Sequence, residues 1–286
     1  AMDLILTLGL DALNFALAIV LVAMGLVIIF GLMNVINMAH GELFLLGAYT
    51  LVVVQQAGGG FWLGLILAPI VVGLVGLVLE ELIIRHVYRR FLDTILATWG
   101  ISIAIKQAVI LGFGPASYTV DAPLQFGVDF LGTTYPAYRL FIMGVAVLVI
   151  LVTVVVFVRT RFGLAARGVI ANRSMAACLG INTRRLDRAT FAFGAALAGL
   201  AGAVMAPQMS VDPQMGLGFL IPAFLAILTG GGGLTGTLLG ASLVGGIDST
   251  FAKLWSPVLA QVVVFAMAIV VIRLFPNGLL GGRGRR

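Results

Sequence analysis

The chain has 286 residues, of which 61% are hydrophobic and only 10% are charged, and its mean hydropathy is +1.17. Soluble globular domains carry roughly 25% charged residues, so this composition excludes that class. The single cysteine, Cys178, excludes an internal disulfide, and the net charge of +6 comes from short basic segments rather than from a nucleic-acid-binding surface. We therefore predict an all-α, polytopic helical membrane protein with a single transmembrane domain over residues 1–286.

Apolar runs of helical length divide the chain into predicted spans. Runs of about 18 or more residues with almost no charge are long enough to cross a bilayer, and shorter runs suit bent or partly buried segments. We expect some of these elements to be broken or re-entrant. The runs cover residues 13–32, 43–54, 62–84, 95–111, 140–158, 189–205 and 259–274, with a glycine-broken region at 217–251.

A polar cluster interrupts the apolar N-terminal third, in the stretch NVINMAHGELF at residues 34–44. A carboxylate and an imidazole beside hydrocarbon cost several kcal/mol unless they are paired or hydrated. The cluster is either a short cytoplasmic loop or a break in a span, and the short apolar run after Glu42 favours the break. At a break, these residues act as a structural hinge or in direct substrate contact. The cluster consists of Asn34, Asn37, His40 and Glu42.

The distribution of arginine predicts the orientation, because cytoplasmic loops carry an excess of arginine and lysine. The segment at 114–138 carries only Asp121 and Asp129, so we place it outside. Counting crossings then places the N-terminus outside as well, although a re-entrant segment near residue 37 would reverse that assignment. The clusters predicted to be cytoplasmic are Arg85, Arg89 and Arg90; Arg159, Arg161, Arg167, Arg173, Arg184, Arg185 and Arg188; and Arg273, Arg283, Arg285 and Arg286.

Four consecutive glycines, Gly230, Gly231, Gly232 and Gly233, divide the region at 217–251. The first half of this region, residues 217–229, is too short for a straight crossing of a hydrocarbon core about 30 Å thick. Glycine is less favourable than alanine in a helix by about 1 kcal/mol, so we expect the helix to stop there. We predict two broken or re-entrant half-helices that meet at these glycines. The alternative is a two-span hairpin with a glycine-rich cytoplasmic turn.

The sequence contains no motif of an enzyme. The order His40-Gly41-Glu42 lacks the second histidine of a zinc-protease helix, and GGGGLTG lacks the lysine of a nucleotide-binding loop. We therefore predict no catalytic residues, no metal site and no cofactor, and we expect that the chain itself hydrolyses no nucleotide.

The basic segment at 159–188 contains an amphipathic stretch, NRSMAACLGI, which starts at Asn172. Met175, Cys178 and Leu179 can share one face of a helix in this stretch. One interpretation is an interfacial helix among lipid headgroups, and the other is a short helix that enters a groove of a cytosolic partner. Periodicity alone does not choose between them.

Four motifs resemble those of the permease subunits of bacterial ABC importers of the branched-chain amino acid class. They are GLMNVINMAHGELFLLGAY, NRSMAACLGINTRRLDRATFAFGAALAGLAG, TGGGGLTGTLLGA and FPNGLLG. The resemblance implies a multi-pass protein of the bacterial cytoplasmic membrane with about eight transmembrane elements. It implies as partners a second homologous permease subunit, two cytosolic ATPase subunits and a periplasmic or extracellular solute-binding protein. It also implies that the segment at 159–188 couples to an ATPase, through Arg167, Asn172, Arg173, Met175, Ala176, Leu179 and Gly180.

The stretch LATWGIS, at residues 96–102, is similar to the urea and short-chain amide subgroup of this family. A small neutral amide suits a pathway of uncharged polar groups, whereas a zwitterion requires paired donors and acceptors. We predict a permease for urea or a short-chain amide, with branched-chain amino acid import as the alternative within the family. A self-sufficient channel or facilitator for a small neutral solute is the second alternative. Besides the polar cluster, the predicted pathway or helix-break residues are Thr98, Trp99, Gly230, Gly231, Gly232 and Gly233.

Overall fold

The computed structural model describes residues 2–88, 90–130 and 133–280, and helices dominate it. Arg89, Arg283, Arg285 and Arg286 of the predicted basic clusters lie outside the described residues. Six helices of the described part are long and apolar enough to cross a membrane, which confirms a polytopic helical membrane protein. The helices are α1 (Met2–Met33), α2 (His40–Gln56), α3 (Phe61–Leu79), which continues as a π-helical turn (Glu80–Ile84), α4 (Arg85–Val87), α5 (Phe91–Phe113), α6 (Ala137–Arg159), α7 (Arg161–Ala171), α8 (Arg173–Cys178), α9 (Thr183–Met205), α10 (Met215–Gly230), α11 (Leu234–Leu254) and α12 (Pro257–Leu274).

A short antiparallel strand pair, β1 (Gly127–Phe130) and β2 (Thr133–Pro136), marks one end of the molecule, which we call the β end. The N-terminal part of α1 lies at this end, because the Asp11 carboxylate pairs with Arg139 at 2.6 Å and with Lys253 at 2.8 Å. The start of α1 therefore lies with the segment predicted to be outside, as the counting of crossings predicts.

The opposite end, which we call the arginine end, carries the basic segment. Here Gly31 of α1, Val158 of α6, Arg167 of α7 and Gly232 line a common cavity. Helix α1 therefore runs from the β end to the arginine end, and α6 runs in the same direction.

The first break separates α1 from α2 at residues 34–39, and there the chain turns back toward the middle of α1. Asn34 adopts the left-handed conformation (φ 51°), which redirects the backbone after Met33. His40, the first residue of α2, places its Nε2 atom 3.0 Å from the carbonyl oxygen of Val22. Val22 lies about three turns before the end of α1, so α2 begins roughly 16 Å away from that end.

A second break, which the sequence analysis missed, separates α9 from α10 at residues 206–214. Within it, Val211 pairs with Tyr118 in a single antiparallel bridge. Helix α10 then begins directly against α2, where a β-carbon built on Gly41 would lie 2.7 Å from the carbonyl oxygen of Gly216. The N-terminal turns of two helices thus meet inside the bundle, and glycine at this contact permits the close approach.

The two breaks belong to two halves of the chain whose contacts repeat. Helices α1, α2 and α3 of the first half correspond to α9, α10 and α11 of the second. Helix α1 packs against α11 in the same way that α9 packs against α3, and α2 packs against α3 in the same way that α10 packs against α11. Gly25 of α1 and Gly194 of α9 cross at the centre, where a β-carbon on either residue would collide with the backbone of the other. Helix α9 runs toward the β end, because the Tyr138 hydroxyl at the start of α6 donates to the Val204 carbonyl at 2.7 Å. The halves therefore run in opposite directions, as in inverted-repeat membrane proteins with broken helices.

The structure corrects the prediction that half-helices meet at residues 230–233. These glycines form the turn of the α10–α11 hairpin at the arginine end. The hairpin agrees with the alternative considered for this region, but its two-span form is not confirmed, because α10 has only 16 residues and is not among the helices long enough to cross a membrane. Gly231 (φ 106°) and Gly232 (φ 71°) take left-handed conformations that glycine adopts without strain. The Thr229 carbonyl accepts from the Leu279 N–H at 2.9 Å, so the C-terminal segment satisfies backbone groups of this turn. The broken helices lie at the two breaks described above instead.

Candidate functional site

Hydrogen bonds of polar residues hold the first break. The Asn37 side-chain oxygen accepts from the Ala39 N–H at 3.0 Å, immediately before α2 begins. His40 is fully buried, and its Nε2 lies at hydrogen-bond distance from the Val22 carbonyl, so we assign the proton to Nε2. These bonds fix the first turn of α2, which contains Glu42, inside the bundle.

Helix α5 faces this break with a stripe of polar side chains. A spacing of four residues keeps Thr94, Thr98, Ser102 and Lys106 on one side of a helix. The first three are buried, whereas the opposite side of α5 exposes large apolar side chains. A buried polar stripe on an otherwise apolar helix indicates partners on the elements that it packs against.

The polar stripe of α5 contacts both breaks and the first turn of α2. The hydroxyl groups bond to the first break and to α2, and the ammonium group bonds to the second break. The contacts are Met38 N to Thr98 Oγ1 (3.2 Å), Ser102 Oγ to Glu42 Oε1 (3.0 Å) and Lys106 Nζ to Gln214 Oε1 (3.0 Å).

Three buried atoms beside this contact have no hydrogen-bond partner among the described residues: Asn37 Nδ2, His40 Nδ1 and Glu42 Oε2. An unsatisfied buried polar group costs roughly 1–3 kcal/mol, so a cluster of such groups indicates a place where water or a solute completes the bonding. We use the name polar seam for the set that lines this contact, which is Asn37, Glu42, Thr98, Ser102, Lys106 and Gln214.

One cavity adjoins the polar seam, and a second cavity lies at the arginine end with no seam residue in its lining. At the β end, a cavity of about 490 Å³ is lined by Gln214 of the seam and by Asp212. At the arginine end, a cavity of about 760 Å³ is lined by Met33 and Tyr88, among others. Thr98, between the two cavities, is fully buried, so the seam is closed in this structure.

The residues predicted for a pathway lie in different places. Asn34 is exposed at the end of α1, and Trp99 is 48% exposed on the outer side of α5, so neither lines the seam. Trp99 points away because one residue step rotates a side chain by about 100° around a helix. Gly232 lies beside Phe30 at the arginine end. Those in or directly beside the seam are Asn37, His40, Glu42 and Thr98.

The basic segment folds into the short helices α7 and α8. The Asn172 side chain caps α8 by accepting from the Met175 N–H at 2.9 Å, and Gly180 (φ 86°) follows its end. Met175 and Leu179 are 58% and 76% exposed, which leaves an apolar surface there. Ala176, which the resemblance implies as a coupling residue, is only 3% exposed and faces the rest of the protein.

The two arginines predicted to act with this surface are held by the protein itself. Arg173 pairs with the buried carboxylate of Asp187. Arg167 is exposed and donates to the carbonyl oxygens of Gly163 and Val158, each at 3.4 Å. Arg173 thereby ties α8 to the first turns of α9.

An ion-pair network continues from α9 to the π-helical turn that follows α3. Arg184 and Arg188 pair with Glu81 at 3.0 and 2.5 Å. The Tyr88 hydroxyl donates to Glu80 at 2.6 Å, and burial, followed by this hydrogen bond, raises the pKa of Tyr88. The network therefore connects the segment that bears α8 with a π-turn, a feature that is frequent at functional sites.

Sequence reasoning missed Ser102, Lys106 and Gln214. Helix α5 carried a usable signal, because its polar residues recur every four positions and Lys106 interrupts an apolar run where a charge is costly. Gln214 gave no such signal, because its place in the seam depends on the second break.

The comparisons with known proteins give one consistent family. The family model described as "Branched-chain amino acid transport system / permease component" matches residues 9–272. LivH of Escherichia coli, a high-affinity branched-chain amino acid transport system permease protein, is 29% identical over 280 residues, or 91% of this chain and 90% of LivH. BraD of Pseudomonas aeruginosa, named in the same way, is 29% identical over 280 residues, or 91% of each chain. LivM of Escherichia coli is 23% identical over 276 residues, or 88% of this chain and 62% of LivM. No solved structure matches the chain.

The names of these relatives bear on the predicted substrate. All three are named as permease proteins for branched-chain amino acid transport, and none is named for urea or an amide. The prediction of urea or a short-chain amide therefore gains no support, and the alternative within the family fits better.

Proposed function

Because this chain belongs to the family of branched-chain amino acid transport system permease components, we propose that it is the permease subunit of an ABC importer for branched-chain amino acids. It spans the cytoplasmic membrane and forms half of the translocation pathway, while separate cytosolic subunits hydrolyse ATP. The observation that carries the proposal is the family match over residues 9–272, and the names of the relatives support the substrate class.

The polar seam is the proposed route of the substrate through this subunit. It extends between a cavity at the β end and the region of a cavity at the arginine end, and it contains buried polar atoms without partners among the described residues. Opening the seam requires a movement of α5, which packs against the rest of the protein mainly with its polar side.

A second permease subunit, two ATPase subunits and a solute-binding protein are the proposed partners. Support for a second permease comes from Escherichia coli, where LivH and LivM are both named as permease proteins of the high-affinity system and both resemble this chain. Support for the ATPase contact comes from the exposed apolar side chains of Met175 and Leu179 beside the basic segment. An exposed apolar surface at the end of a membrane protein that carries its arginines suits a cytosolic partner.

Affinity purification of the tagged chain from its native host tests this proposal. We expect a second permease and two ATPase subunits to elute with it. ATP hydrolysis by the complex should rise with leucine-loaded binding protein and stay at its basal rate with urea. A chain that elutes alone as a homo-oligomer and conducts a neutral solute without ATP would instead be a facilitator.

A further inference from the structure

The polar seam contains one acidic side chain that is buried in the bundle and one basic side chain that is partly buried. Glu42 is 1% exposed, and Lys106 lies within α5, which is long and apolar enough to span a membrane. Charged side chains at membrane depth are costly, and they mark substrate or ion pathways in most membrane proteins that keep them.

The two charges are neighbours that bond to different partners. Ser102 donates to one oxygen of Glu42 at 3.0 Å, and Lys106 follows Ser102 by one helical turn, about 6 Å along the axis. The Lys106 ammonium donates to the side-chain oxygen of Gln214 at 3.0 Å. Ser102, which bonds to Glu42, and Lys106 therefore lie one helical turn apart along the seam.

Both charged groups retain bonding capacity. A lysine ammonium has three donor hydrogens, and the second carboxylate oxygen of Glu42 is buried without a partner among the described residues. Hydrogen bonds between ionised groups are roughly twice as strong as neutral ones, so this pair favours a ligand that carries both charges. A neutral amide matches neither charge, whereas an α-amino acid carries a carboxylate and an ammonium group on one carbon.

We infer that the polar seam binds its substrate as an α-amino acid zwitterion, with Lys106 on the carboxylate and Glu42 on the ammonium group. Gln214 holds Lys106 until the substrate carboxylate displaces its amide oxygen. The inference rests on the proposed import of branched-chain amino acids, and it adds a selection step in the permease itself.

Substrate protection of a thiol beside Lys106 tests the inference. Ile110→Cys, in a Cys178→Ala background, places the thiol one turn beyond Lys106 at the β-end cavity. The complete transporter is held in lipid nanodiscs without binding protein and is labelled with a membrane-impermeant thiol reagent. Leucine at ten times its dissociation constant should slow the labelling by about tenfold. 4-Methylpentanoate, which lacks the ammonium group, 3-methylbutylamine, which lacks the carboxylate, and urea should leave the rate unchanged.

Variants of the two lysines show whether protection depends on Lys106 in particular or on the total positive charge of the chain. Lys106→Gln should remove the protection by leucine, and Lys106→Arg should retain most of it. Lys253→Gln is the matched control, because it removes the other lysine of the chain, which pairs with Asp11 at the β end. Binding of radiolabelled leucine to the same nanodiscs gives a second measurement for which we expect the same ranking.

Protection by a single-charge analogue equal to that by leucine would overturn the inference, and so would protection that survives Lys106→Gln. ATP-driven uptake, measured on the same complex in vesicles with its binding protein, distinguishes this failure from failure of the proposed function. Leucine uptake without protection or binding would overturn the zwitterion site alone. Urea uptake without leucine uptake would overturn the zwitterion site and the proposed function together.

Discussion

Glu42 has two carboxylate oxygens in different surroundings. One accepts from Ser102 of α5 at 3.0 Å, and the other is buried without a partner among the described residues. The first oxygen holds α5 against the start of α2, and in our proposal the second bonds to the solute when the seam opens. The same side chain therefore contributes to packing and, in our proposal, to transport.

Two substitutions at Glu42 separate these contributions. Glu42→Gln should leave the unfolding temperature nearly unchanged, because the amide oxygen still accepts from Ser102, but it should strongly lower leucine uptake because the charge is lost. Glu42→Leu should also destabilise the protein by about 1–3 kcal/mol, since Ser102 loses its buried acceptor. Thermal unfolding in detergent and uptake into vesicles check the two effects. Uptake at the native rate by the glutamine variant would show that the charge is dispensable.

The sequence allowed the prediction that polar residues in an apolar chain are buried. It did not show which way each side chain points or which residue it contacts. Asn37 and Glu42 stood out because lipid exposure of such groups is costly. The exposure of Asn34 depends on its own left-handed conformation at the end of α1, which leaves no trace in hydropathy. Ser102 has no unusual neighbours in sequence, and it became informative only when α2 was placed beside α5.

Close helix crossings at glycine hold the elements that carry the seam. The first turns of α2 and α10 touch at Gly41 and Gly216, which leaves no room for a side chain. Both breaks are therefore fixed by one backbone contact in the middle of the protein.

Valine substitutions on α10 test this contact with an internal control. A β-carbon on Gly216 would collide with the backbone of Gly41, whereas nothing lies within 4 Å of one on Gly218. Overpacking costs about 1–3 kcal/mol, so Gly216→Val should lower the unfolding temperature in detergent and Gly218→Val should not. Equal effects of the two substitutions would contradict the crossing.

The pair between Arg173 and Asp187 joins α8 to α9. Loss of one partner of a buried pair costs about 3–5 kcal/mol, and we expect less here because the Arg173 side chain is 45% exposed. Arg173→Leu should therefore destabilise the protein, and adding Asp187→Leu should restore the stability. If the ion-pair network between α8, α9 and the π-helical turn transmits motion from the ATPase, the stable double variant will still couple ATP hydrolysis poorly to leucine uptake. Native coupling in the stable double variant would limit the pair to a structural role.

The helical elements followed from the apolar runs, while the paths between them did not. The predicted spans at 13–32, 140–158 and 189–205 all lie within observed helices, because about 20 apolar residues form a spanning helix in most sequence contexts. The second break at 206–214 contains two prolines, which mark an interruption but not its destination. After this break, α10 begins in contact with the start of α2. This tertiary contact depends on Gly41, which is far away in sequence.

On the scale of the whole molecule, the two inverted halves place the seam between elements of both. Helix α5 and the first break come from one half, and Gln214 comes from the other. In such architectures, one half moves against the other around a central site. We therefore expect the conformational cycle to open the seam toward one cavity at a time, driven from the surface of α8.

Leu179 is the side chain that best tests the proposed contact between α8 and the ATPase, because it is 76% exposed at the end of α8. Leu179→Asp would place an unpaired charge in the ATPase groove at a cost of several kcal/mol, so we expect uptake to be abolished while the permease stays inserted. Leu179→Met is the matched control, since it keeps an apolar side chain of similar volume and should transport normally. Normal transport-coupled ATP hydrolysis by the aspartate variant would contradict the assigned contact.

ATP-driven uptake into proteoliposomes tests the central claim most directly. The vesicles contain the complete transporter with its binding protein, and radiolabelled leucine and urea are compared in parallel. We predict leucine uptake that requires ATP and binding protein, is competed by valine and isoleucine, and is unaffected by excess urea. Uptake of urea that excess leucine does not reduce, or entry of leucine without ATP, would contradict the assignment of this chain as a permease for branched-chain amino acids.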